Sequence, residues 1–438
     1  MLATSPARPA SHPFWWEEAG APTAPTEVPL PREIEVAVIG GGLTGLSAAR
    51  TLARHGRSVL VLDAGAPGIG ASSRNGGMIG GGHRMSIDAM EARFGRDTAI
   101  ALLREAHLEA TAFSTGLIAE EGIDCGYIAC GRFRGLWTAA EYNAAGRALD
   151  RLQALIPLEA SMVPEARQHE EVATDLYAGG TVYPSHGRLN PAQFAAGLLA
   201  AVERAGACVQ GNTPVLALRR EGTGHRVETP RGAVQAGAVL VATNGYTPAA
   251  LPEHRRRIVP IPSFLVATEP LGQNRVRSLF PSDRMVAESR DRHCYYRPSP
   301  CDTRLVFGGR AAMMEVPERF AISQLRGLLA QIFPQLGRVS FTHAWRGRTG
   351  FTFHALPSVG QLDGLWHAMG YSGSGNAMAP YLGHKAALGI LGLPEGETAF
   401  ARTGLPTRWW HRGTPWFLPF ADLFFRAGDL RASLARRS

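Results

Sequence analysis

The sequence predicts an α/β fold, because residues 36–63 have the pattern of a complete strand–helix–strand unit. The apolar run Val-Ala-Val-Ile leads into a glycine turn, and an amphipathic helix and a second apolar strand follow. Two more apolar strands, within residues 239–245 and 366–375, also run into glycine turns. Such elements therefore stand at the start, in the middle and near the end of the chain. This order predicts one discontinuous α/β domain with other segments inserted between its parts.

The first glycine turn has the G-x-G-x-x-G spacing of a dinucleotide-binding loop. Gly40 allows the tight turn, Gly42 lets the backbone approach a pyrophosphate, and Gly45 lets the helix pack closely on the strand. The N-terminus of the helix then presents N–H groups and a partial positive charge to the phosphates. Asp63 ends the second strand, where an acid accepts hydrogen bonds from ribose hydroxyls. This context favours dinucleotide binding over a glycine-rich turn of another α/β protein.

The charge of the chain is moderately positive and not concentrated. The sequence has 45 basic and 37 acidic residues, a formal net charge of +8, and a single lysine, Lys385. Residues 255–257 form a tight arginine cluster, which we interpret as a solvated loop. This distribution disfavours a nucleic-acid partner, while a net positive field helps to attract an anionic substrate.

The five cysteines have neither C-x-x-C spacing nor a matching pair of histidines. This pattern predicts no metal site and no disulfide framework, and it favours a reducing, cytoplasmic location. Residues 1–31 lack the continuous apolar run of a signal peptide, and no run has the length that crosses a bilayer. The aromatic patch at residues 14–16 is expected to pin this N-terminal arm to the body of the protein.

Further motifs follow the first glycine turn in a fixed order. They are the loop at residues 70–77, Gly-Arg-Leu-Asn-Pro at 187–191, the turn at 241–247, Tyr-Tyr-Arg at 295–297 with Gly-Gly at 308–309, and the segment from 345 to 375. Together these blocks resemble the FAD-dependent D-amino acid oxidase superfamily, with its glycine oxidase and sarcosine oxidase branches. The loop at 70–77 is most similar to the gamma-glutamylputrescine oxidase branch. The resemblance covers residues 33–391.

Three residues depart from the family pattern. Asp63 stands where relatives usually have a glutamate, and it is a shorter acid that still binds ribose hydroxyls. Arg346 stands where the most similar branch commonly has glycine, and Ser374 where many relatives have histidine. Because the last two belong to the expected flavin and substrate face, the family does not supply the identity of the substrate.

The resemblance implies two domains. We expect an N-terminal arm at residues 1–32 and a discontinuous Rossmann-like FAD-binding domain at 33–90, 179–255 and 340–438. The substrate domain, an α+β unit with a mainly antiparallel sheet, is expected at 91–178 and 256–339. The pattern of the chain also predicts a single long helix over residues 97–121.

The resemblance also implies a reaction. The flavin removes a hydride from the carbon next to an amine, and the imine that forms hydrolyses in water. We expect an amine or amino-acid substrate, with molecular oxygen as acceptor and hydrogen peroxide as product. The alternative is a dehydrogenase of the same fold that passes electrons to a quinone or carrier protein. A nucleic-acid-modifying flavoprotein is a third, less favoured hypothesis.

The resemblance implies FAD without a covalent bond, because residues 348–352 hold no cysteine and Arg74 or Asn75 stands where another branch has the linking histidine. The turn that opens the last long helix is expected to stabilise negative charge on the reduced flavin. Val215 is expected to offer its backbone to the adenine, with a core valine as the alternative. The residues expected to hold FAD are Gly40, Gly42, Leu43, Thr44, Gly45, Asp63, Ser72, Ser73, Arg74, Asn75, Gly76, Gly77, Val215, Thr243, Gly245, Trp345, Gly347, Gly370, Ser372, Gly373, Ser374 and Gly375.

Three residues are predicted to act on the substrate: Tyr296, Arg297 and Arg346. A planar guanidinium binds a carboxylate through two hydrogen bonds, which suits an amino acid or a glutamyl-type amine. We expect His83, His293 and His354 to be satisfied polar residues and not catalytic bases.

The C-terminal tail from residue 409 is aromatic and basic. Two hypotheses follow from this composition. The tail either packs against the cofactor domain or rests on a membrane surface as a peripheral contact.

Overall fold

The computed structural model describes residues 8–82 and 84–435, with side chains described to residue 429. The strands are β1 (Glu33–Ile39), β2 (Val59–Leu62), β3 (Met78–Ile79), β4 (Arg132–Gly135), β5 (Ser161–Pro164), β6 (Gly179–Tyr183), β7 (Gly187–Arg188), β8 (Cys208–Gln210), β9 (Ala217–Glu221), β10 (Gly224–Thr229), β11 (Gly232–Val241), β12 (Val259–Thr268), β13 (Met285–Glu288), β14 (Cys294–Pro298), β15 (Leu305–Gly309), β16 (Phe341–Phe351), β17 (Ser358–Leu362) and β18 (Leu365–Met369).

The helices are α1 (Trp16–Ala19), α2 (Leu43–Arg54), α3 (Ala71–Arg74), α4 (Ile87–Phe94), α5 (Arg96–Arg104), α6 (Ala110–Glu120), α7 (Ala139–Leu155), α8 (Pro191–Arg204), α9 (Pro252–Arg255), α10 (Gln273–Leu279), α11 (Glu318–Ile332), α12 (Gly375–Ile390) and α13 (Leu418–Ala435). The helix expected over residues 97–121 is present, because the chain is helical throughout residues 96–120, with a π-helical turn at Glu105–Glu109 between α5 and α6. Within the described residues, no helix is both long and apolar enough to cross a membrane.

The first sheet has the strand order β17-β18-β11-β1-β2-β8, and β9 and β10 extend from β11. Strands β18, β11, β1, β2 and β8 are parallel to one another in this path, and β17 pairs antiparallel with β18. Helices α2, α6, α8 and α12 cover one face of the parallel strands with a continuous apolar core. These strands come from the start, the middle and the end of the chain, so the predicted discontinuous α/β fold is confirmed.

The second sheet has the strand order β16-β12-β15-β14-β13-β4-β6-β5. All of its neighbouring strands are antiparallel except β13 and β4. Helix α11 packs on its outer face and encloses a second apolar core. Its inner face meets the N-terminal arm and the loop around α3.

The inserted sheet takes two strands from segments that the sequence analysis assigned to the FAD-binding domain. Strand β6 pairs with β4 and β5, and β16 pairs with β12 from Val259 to Thr268. Residues 179–183 and 341–351 therefore belong to the second sheet, because the sheet that a strand joins depends on its pairing with strands from distant segments.

Candidate functional site

The first glycine turn is shaped by close backbone contacts. Gly40 has φ +105°, and a Cβ built there would lie 2.9 Å from the carbonyl oxygen of Ala242. A Cβ at Gly45 would lie only 1.9 Å from the carbonyl oxygen of Gly40, so only glycine lets α2 approach the turn this closely. At Gly42 φ is −86°, and a Cβ would lie 3.0 Å from the Ser72 hydroxyl. Gly40 and Gly45 are therefore required by packing, whereas Gly42 keeps side-chain atoms away from the mouth of the turn.

Asp63 follows β2 and holds two loops through its carboxylate. Its Oδ2 accepts a hydrogen bond from Gly41 N at 2.7 Å, and its Oδ1 accepts one from Gly65 N at 2.9 Å. Burial raises the pKa of this carboxyl, and the two backbone donors oppose that shift. An acid at this position suits the ribose hydroxyls of a dinucleotide. Asp63, the open turn at Gly42 and the N-terminus of α2 together form a cradle that fits FAD.

Short helix α3 ties this cradle to α12. Ser72 Oγ accepts a hydrogen bond from Leu43 N, at the start of α2, at 3.1 Å. Asn75 Oδ1 accepts hydrogen bonds from Gly77 N and from Asn376 Nδ2, both at 2.8 Å. Asn376 lies in the first turn of α12, so α3 links the N-termini of both long helices. Both N-termini carry a partial positive charge, which suits the anionic parts of a flavin dinucleotide.

Three donors hold the backbone of the loop after α3. Trp345 Nε1 donates to Arg74 O at 2.8 Å, and Trp15 Nε1 donates to Asn75 O at 2.7 Å. Arg297 is 1% exposed, and its Nη1 donates to Gly77 O at 2.7 Å. The N-terminal arm thus contributes directly to the site, which the sequence analysis did not foresee beyond its aromatic patch.

The second glycine turn stands before α12. Ser372 has φ +52° and Gly373 has φ +113°. Ser372 N donates to Gly350 O at 3.1 Å, and the Ser374 hydroxyl donates to Gly82 O at 3.2 Å. The turn is therefore held by β16 on one side and by the loop that follows β3 on the other.

The other residues predicted to hold FAD have packing or backbone roles whose contacts with FAD stay predictions. Thr243 Oγ1 lies 2.9 Å from Thr247 Oγ1, and a Cβ at Gly245 would lie 3.1 Å from a backbone nitrogen of β16. A Cβ at Gly347 would lie 3.4 Å from Arg74 Cβ. Val215 is 7% exposed and packs in the core beside β1, which is the alternative that the sequence left open.

The predicted substrate residue Tyr296 lies on the wrong face of β14. Successive side chains of a strand point to opposite faces, so Tyr295 and Tyr296 have different surroundings. Tyr296 is fully buried in the core under α11, and its hydroxyl lies 2.8 Å from the Tyr177 hydroxyl. Tyr295 lies on the inner face, where its ring contacts the position that a Cβ of Gly76 would take. The structure therefore brings Tyr295, and not Tyr296, to the site.

The other two predicted substrate residues also have structural partners. Arg346 is half exposed and pairs with Glu315 at 2.8 Å, on the face of β16 opposite to Trp345. Such an exposed pair interacts weakly. Arg297 uses its guanidinium to hold backbone carbonyls, with a second bond to Leu189 O at 2.9 Å. The Arg297 assignment is thereby corrected, because its buried guanidinium holds Gly77 O and Leu189 O. A role for Arg346 towards a ligand stays a prediction, since burial lowers the pKa of Arg74 and the exposed charge of Arg346 lies close enough to add to that shift.

The sequence analysis did not single out three arginines whose charges act on one another. Arg84 and Arg310 lie at the turn before α12 and at Phe351. Burial lowers the pKa of Arg84, and exposed Arg134 of β4 lies close enough to lower it further. We call Arg84, Arg134 and Arg310 the arginine cleft. The Nε of Arg84 donates to Ser372 O at 3.3 Å. The guanidinium carbons of Arg84 and Arg310 lie 5.7 Å and 4.9 Å from the centre of the Phe351 ring. Two cations thus flank one aromatic ring next to the second glycine turn.

The electrostatics of the arginine cleft favour an anion. Burial, reinforced by the neighbouring Arg84, lowers the pKa of Arg310 to about 9. Burial and the same arginines also hold the pKa of His293 well below its usual range. The guanidinium groups stay charged at neutral pH. Asp291 lies close enough to Arg84 and Arg310 to offset part of this charge. Three guanidinium groups against one carboxylate leave an excess of positive charge, which attracts a carboxylate and disfavours a further positive charge.

The histidines have different roles. His354 is satisfied as expected, because its Nδ1 lies 2.9 Å from Thr352 Oγ1 and its Nε2 lies 3.2 Å from Thr403 O. His293 Nδ1 has no hydrogen-bond partner among the described residues, and the ring lies beside Tyr295. His83 is outside the described residues.

A group of three side chains, where the N-terminal arm meets β16, has residue types that metals prefer. Glu17 Oε1 lies 2.8 Å from His12 Nε2 and 3.0 Å from His343 Nε2. The hydrogen bonds from these histidines lower the pKa of Glu17. The group is thus a hydrogen-bonded link between the arm and β16.

Comparison with known proteins places this chain among flavoproteins. A family model described as FAD dependent oxidoreductase matches residues 35–388. The probable oxidoreductase OrdL of Rhizobium meliloti is 32% identical over 382 residues, which are 86% of this chain and 87% of the relative. The gamma-glutamylputrescine oxidoreductase of Escherichia coli is 32% identical over 378 residues, 84% of this chain and 86% of the relative.

Solved structures show the same fold. The crystal structure of glycine oxidase from Geobacillus kaustophilus superposes with a TM-score of 0.71 at 23% identity, covering 86% of this chain and all of that chain. The L-proline dehydrogenase from P. horikoshii superposes with a TM-score of 0.67 at 20% identity, covering 88% of this chain and 98% of that chain.

Proposed function

The chain belongs to the family of FAD-dependent oxidoreductases, and from that premise we propose that it oxidises the C–N bond of an amine or amino acid that carries a carboxylate. The observation that carries this proposal is the position of the arginine cleft beside the second glycine turn. Arg84 joins the two directly, through its hydrogen bond to Ser372 O at 3.3 Å. A substrate held there lies between its charge-binding groups and the end of the FAD cradle.

The cleft supports two requirements of amine oxidation. Arg84 and Arg310 offer guanidinium groups to one carboxylate, an interaction with charge-assisted hydrogen bonds and defined geometry. The same positive charges lower the pKa of an amine placed nearby, because they disfavour its ammonium form. The neutral amine is the form that can release a hydride. The cleft thus binds the carboxylate of the substrate and favours the neutral form of its amine.

When FAD is bound, it would supply the chemistry of accepting that hydride. Around it, the N-terminus of α12 is placed to stabilise developing negative charge, and α2 is placed to hold the phosphates. We propose that the attachment is non-covalent, since Arg74 and Asn75 occupy the place of a linking histidine and residues 348–352 contain no cysteine.

The names of two relatives support the substrate class. Gamma-glutamylputrescine oxidoreductase and glycine oxidase are each named for an amine. We propose molecular oxygen as the electron acceptor, with hydrogen peroxide as product, in a cytoplasmic setting. A dehydrogenase that uses a membrane carrier is the second candidate, and the exposed aromatic side chains of the tail favour it.

The test is turnover of the purified, FAD-containing protein with a panel of amines. The panel pairs each carboxylated amine with its carboxamide, so that only the charge differs. We expect oxidation of carboxylated members in air, with hydrogen peroxide formed in proportion. Turnover only with a redox dye would support the carrier alternative, and absence of turnover with both acceptors would contradict amine oxidation.

A further inference from the structure

The C-terminal tail exposes several large apolar side chains. Trp409, Trp416, Phe420, Leu423 and Phe424 are between 58% and 86% exposed, and we call them the aromatic face. They make up five of the ten large hydrophobic side chains that are exposed among the described residues. Single exposed apolar residues need no explanation, but a concentration within 16 positions marks an interaction surface.

Helix α13 packs on the protein with one side and leaves its part of the aromatic face on the other side exposed. Leu418 is 4% exposed in a cluster with Val259, Ile261, Met313 and Phe351 of the second sheet and its following loop. The tail therefore packs on the second sheet, and Trp410 and His411 also contact Phe353 of the segment assigned to the cofactor domain. The docked helix has its apolar side chains on both faces, and only one face has a partner.

Both acidic side chains of the described tail are turned towards the protein. Asp422 is 5% exposed, accepts a hydrogen bond from Met313 N at 3.0 Å and pairs with Arg426 at 2.6 Å. Asp429 pairs with Arg292 at 3.3 Å. The outward side therefore carries no carboxylate within residues 402–429 of the described structure.

Cations accompany the aromatic face. Arg408 and Arg412 are exposed on either side of Trp409. Exposed tryptophan and phenylalanine with arginine, and without acids, match the boundary between anionic headgroups and acyl chains. A protein partner of this surface would need acidic side chains around an apolar centre, and nothing in the structure indicates such a partner.

We propose that the aromatic face binds the surface of an anionic lipid bilayer, with α13 lying in the plane of the interface. This inference goes beyond the proposed oxidation and holds for either electron acceptor. Helix α13 also contacts the segment after Arg310, since Arg426 donates to Ala311 O at 3.0 Å. Membrane binding would therefore occur next to the arginine cleft.

The test is co-sedimentation of the FAD-containing protein with vesicles of phosphatidylglycerol and phosphatidylcholine, and with phosphatidylcholine alone. We expect binding to the anionic vesicles that weakens as salt rises. The double variant Phe420→Ser/Phe424→Ser should lose at least about tenfold in partitioning, because two apolar side chains no longer enter the interface. Leu216→Ser is the matched control, since Leu216 is 58% exposed on another part of the surface.

Three results would overturn the proposal. One is equal binding to both kinds of vesicle or to neither, and another is unchanged binding of the double variant. The third is a concentration-dependent dimer that the double variant abolishes, because a second copy would then cover the face. The double variant should oxidise amines at close to the wild-type rate without vesicles. A failure of the membrane-binding proposal would therefore leave the proposed oxidation unaffected.

Discussion

At the scale of single residues, a substitution of Gly42 should affect cofactor binding without preventing folding. Its φ of −86° is accessible to any residue, and a Cβ would meet only the Ser72 hydroxyl. We expect Gly42→Val to fold but to bind FAD at least about tenfold more weakly, a loss of at least about 1.4 kcal/mol, because the side chain occupies the approach of the pyrophosphate. Circular dichroism and the ratio of flavin to protein absorbance measure the two effects.

The matched contrast is Gly45→Ala, where the Cβ would lie 1.9 Å from a backbone oxygen. That variant should fail to fold, because a backbone atom cannot move aside. Full flavin occupancy in Gly42→Val would contradict the assignment of the cradle.

Asp63 should make FAD affinity depend on pH. Burial raises its pKa in the free protein, and hydrogen bonds from ribose hydroxyls would lower it again in the complex. Binding then favours the ionised form, so affinity is highest above the free-protein pKa and falls as the pH decreases through it. FAD titrations across the acidic range should show this decline in the wild type and a weaker, flatter profile in Asp63→Asn. Asp175→Asn, at an exposed site, serves as the control.

The glycines of the first turn were predictable from the sequence, whereas the substrate residues were not. Each glycine of the first turn could be assigned because its role depends on local spacing alone. The substrate residues could not, although one signal was present: adjacent residues of a strand cannot share a face. Placing Trp345 at the flavin excludes Arg346 from the same face, and Tyr295 and Arg297 share a face that excludes Tyr296.

At the scale of elements, the N-terminal arm supports the loop after α3. Trp15 is 1% exposed, donates to Asn75 O and lies under the guanidinium of Arg297 at 4.9 Å. Trp15→Ala should lower the free energy of unfolding by about 3–5 kcal/mol through the cavity that it leaves. Thermal unfolding and flavin release should both shift to lower temperature. Trp409→Ala removes a side chain that is 86% exposed and should change neither.

Strand membership was the least predictable property of the elements. The pattern of β16 identifies a strand, but only its long pairing with β12 places it in the second sheet. Likewise Arg84, Arg134 and Arg310 come from segments far apart in sequence, and no local motif connects them. Their convergence depends on tertiary packing, which is why the cleft emerged only with the structure.

At the scale of the whole molecule, two sheets from interleaved segments meet at one site. The parallel sheet supplies the glycine turns, and the inner face of the antiparallel sheet supplies Tyr295 and Trp345. The arginine cleft combines Arg134 of β4 with Arg84 from the loop after β3 and Arg310 just after β15. The family motifs occur in both parts, so fold and cofactor followed from the sequence, while the groups that we propose to bind the substrate did not.

The attachment of FAD is a property of the complete protein. We expect the purified protein to be yellow and to release its flavin into the supernatant on acid precipitation, because no cysteine or histidine stands at the known linking places of the family. Flavin that remains with the precipitated polypeptide would contradict non-covalent binding.

The most direct test of the central claim is the rate at which amines bleach the enzyme-bound flavin without oxygen, since this step is independent of the acceptor. In the wild type we expect fast bleaching by a carboxylated amine and slow bleaching by its carboxamide. Arg310→Ala should lose a contact of about 1.5–3 kcal/mol with the carboxylate, or about ten- to more than hundredfold in efficiency for the carboxylated amine. The carboxamide should lose less, because for it the variant removes only the effect of Arg310 on the pKa of the amine. Arg346→Ala, which removes an exposed ion pair on the outer face, should behave like the wild type. Equal losses for both amines in Arg310→Ala, or a selective loss in Arg346→Ala, would contradict the account.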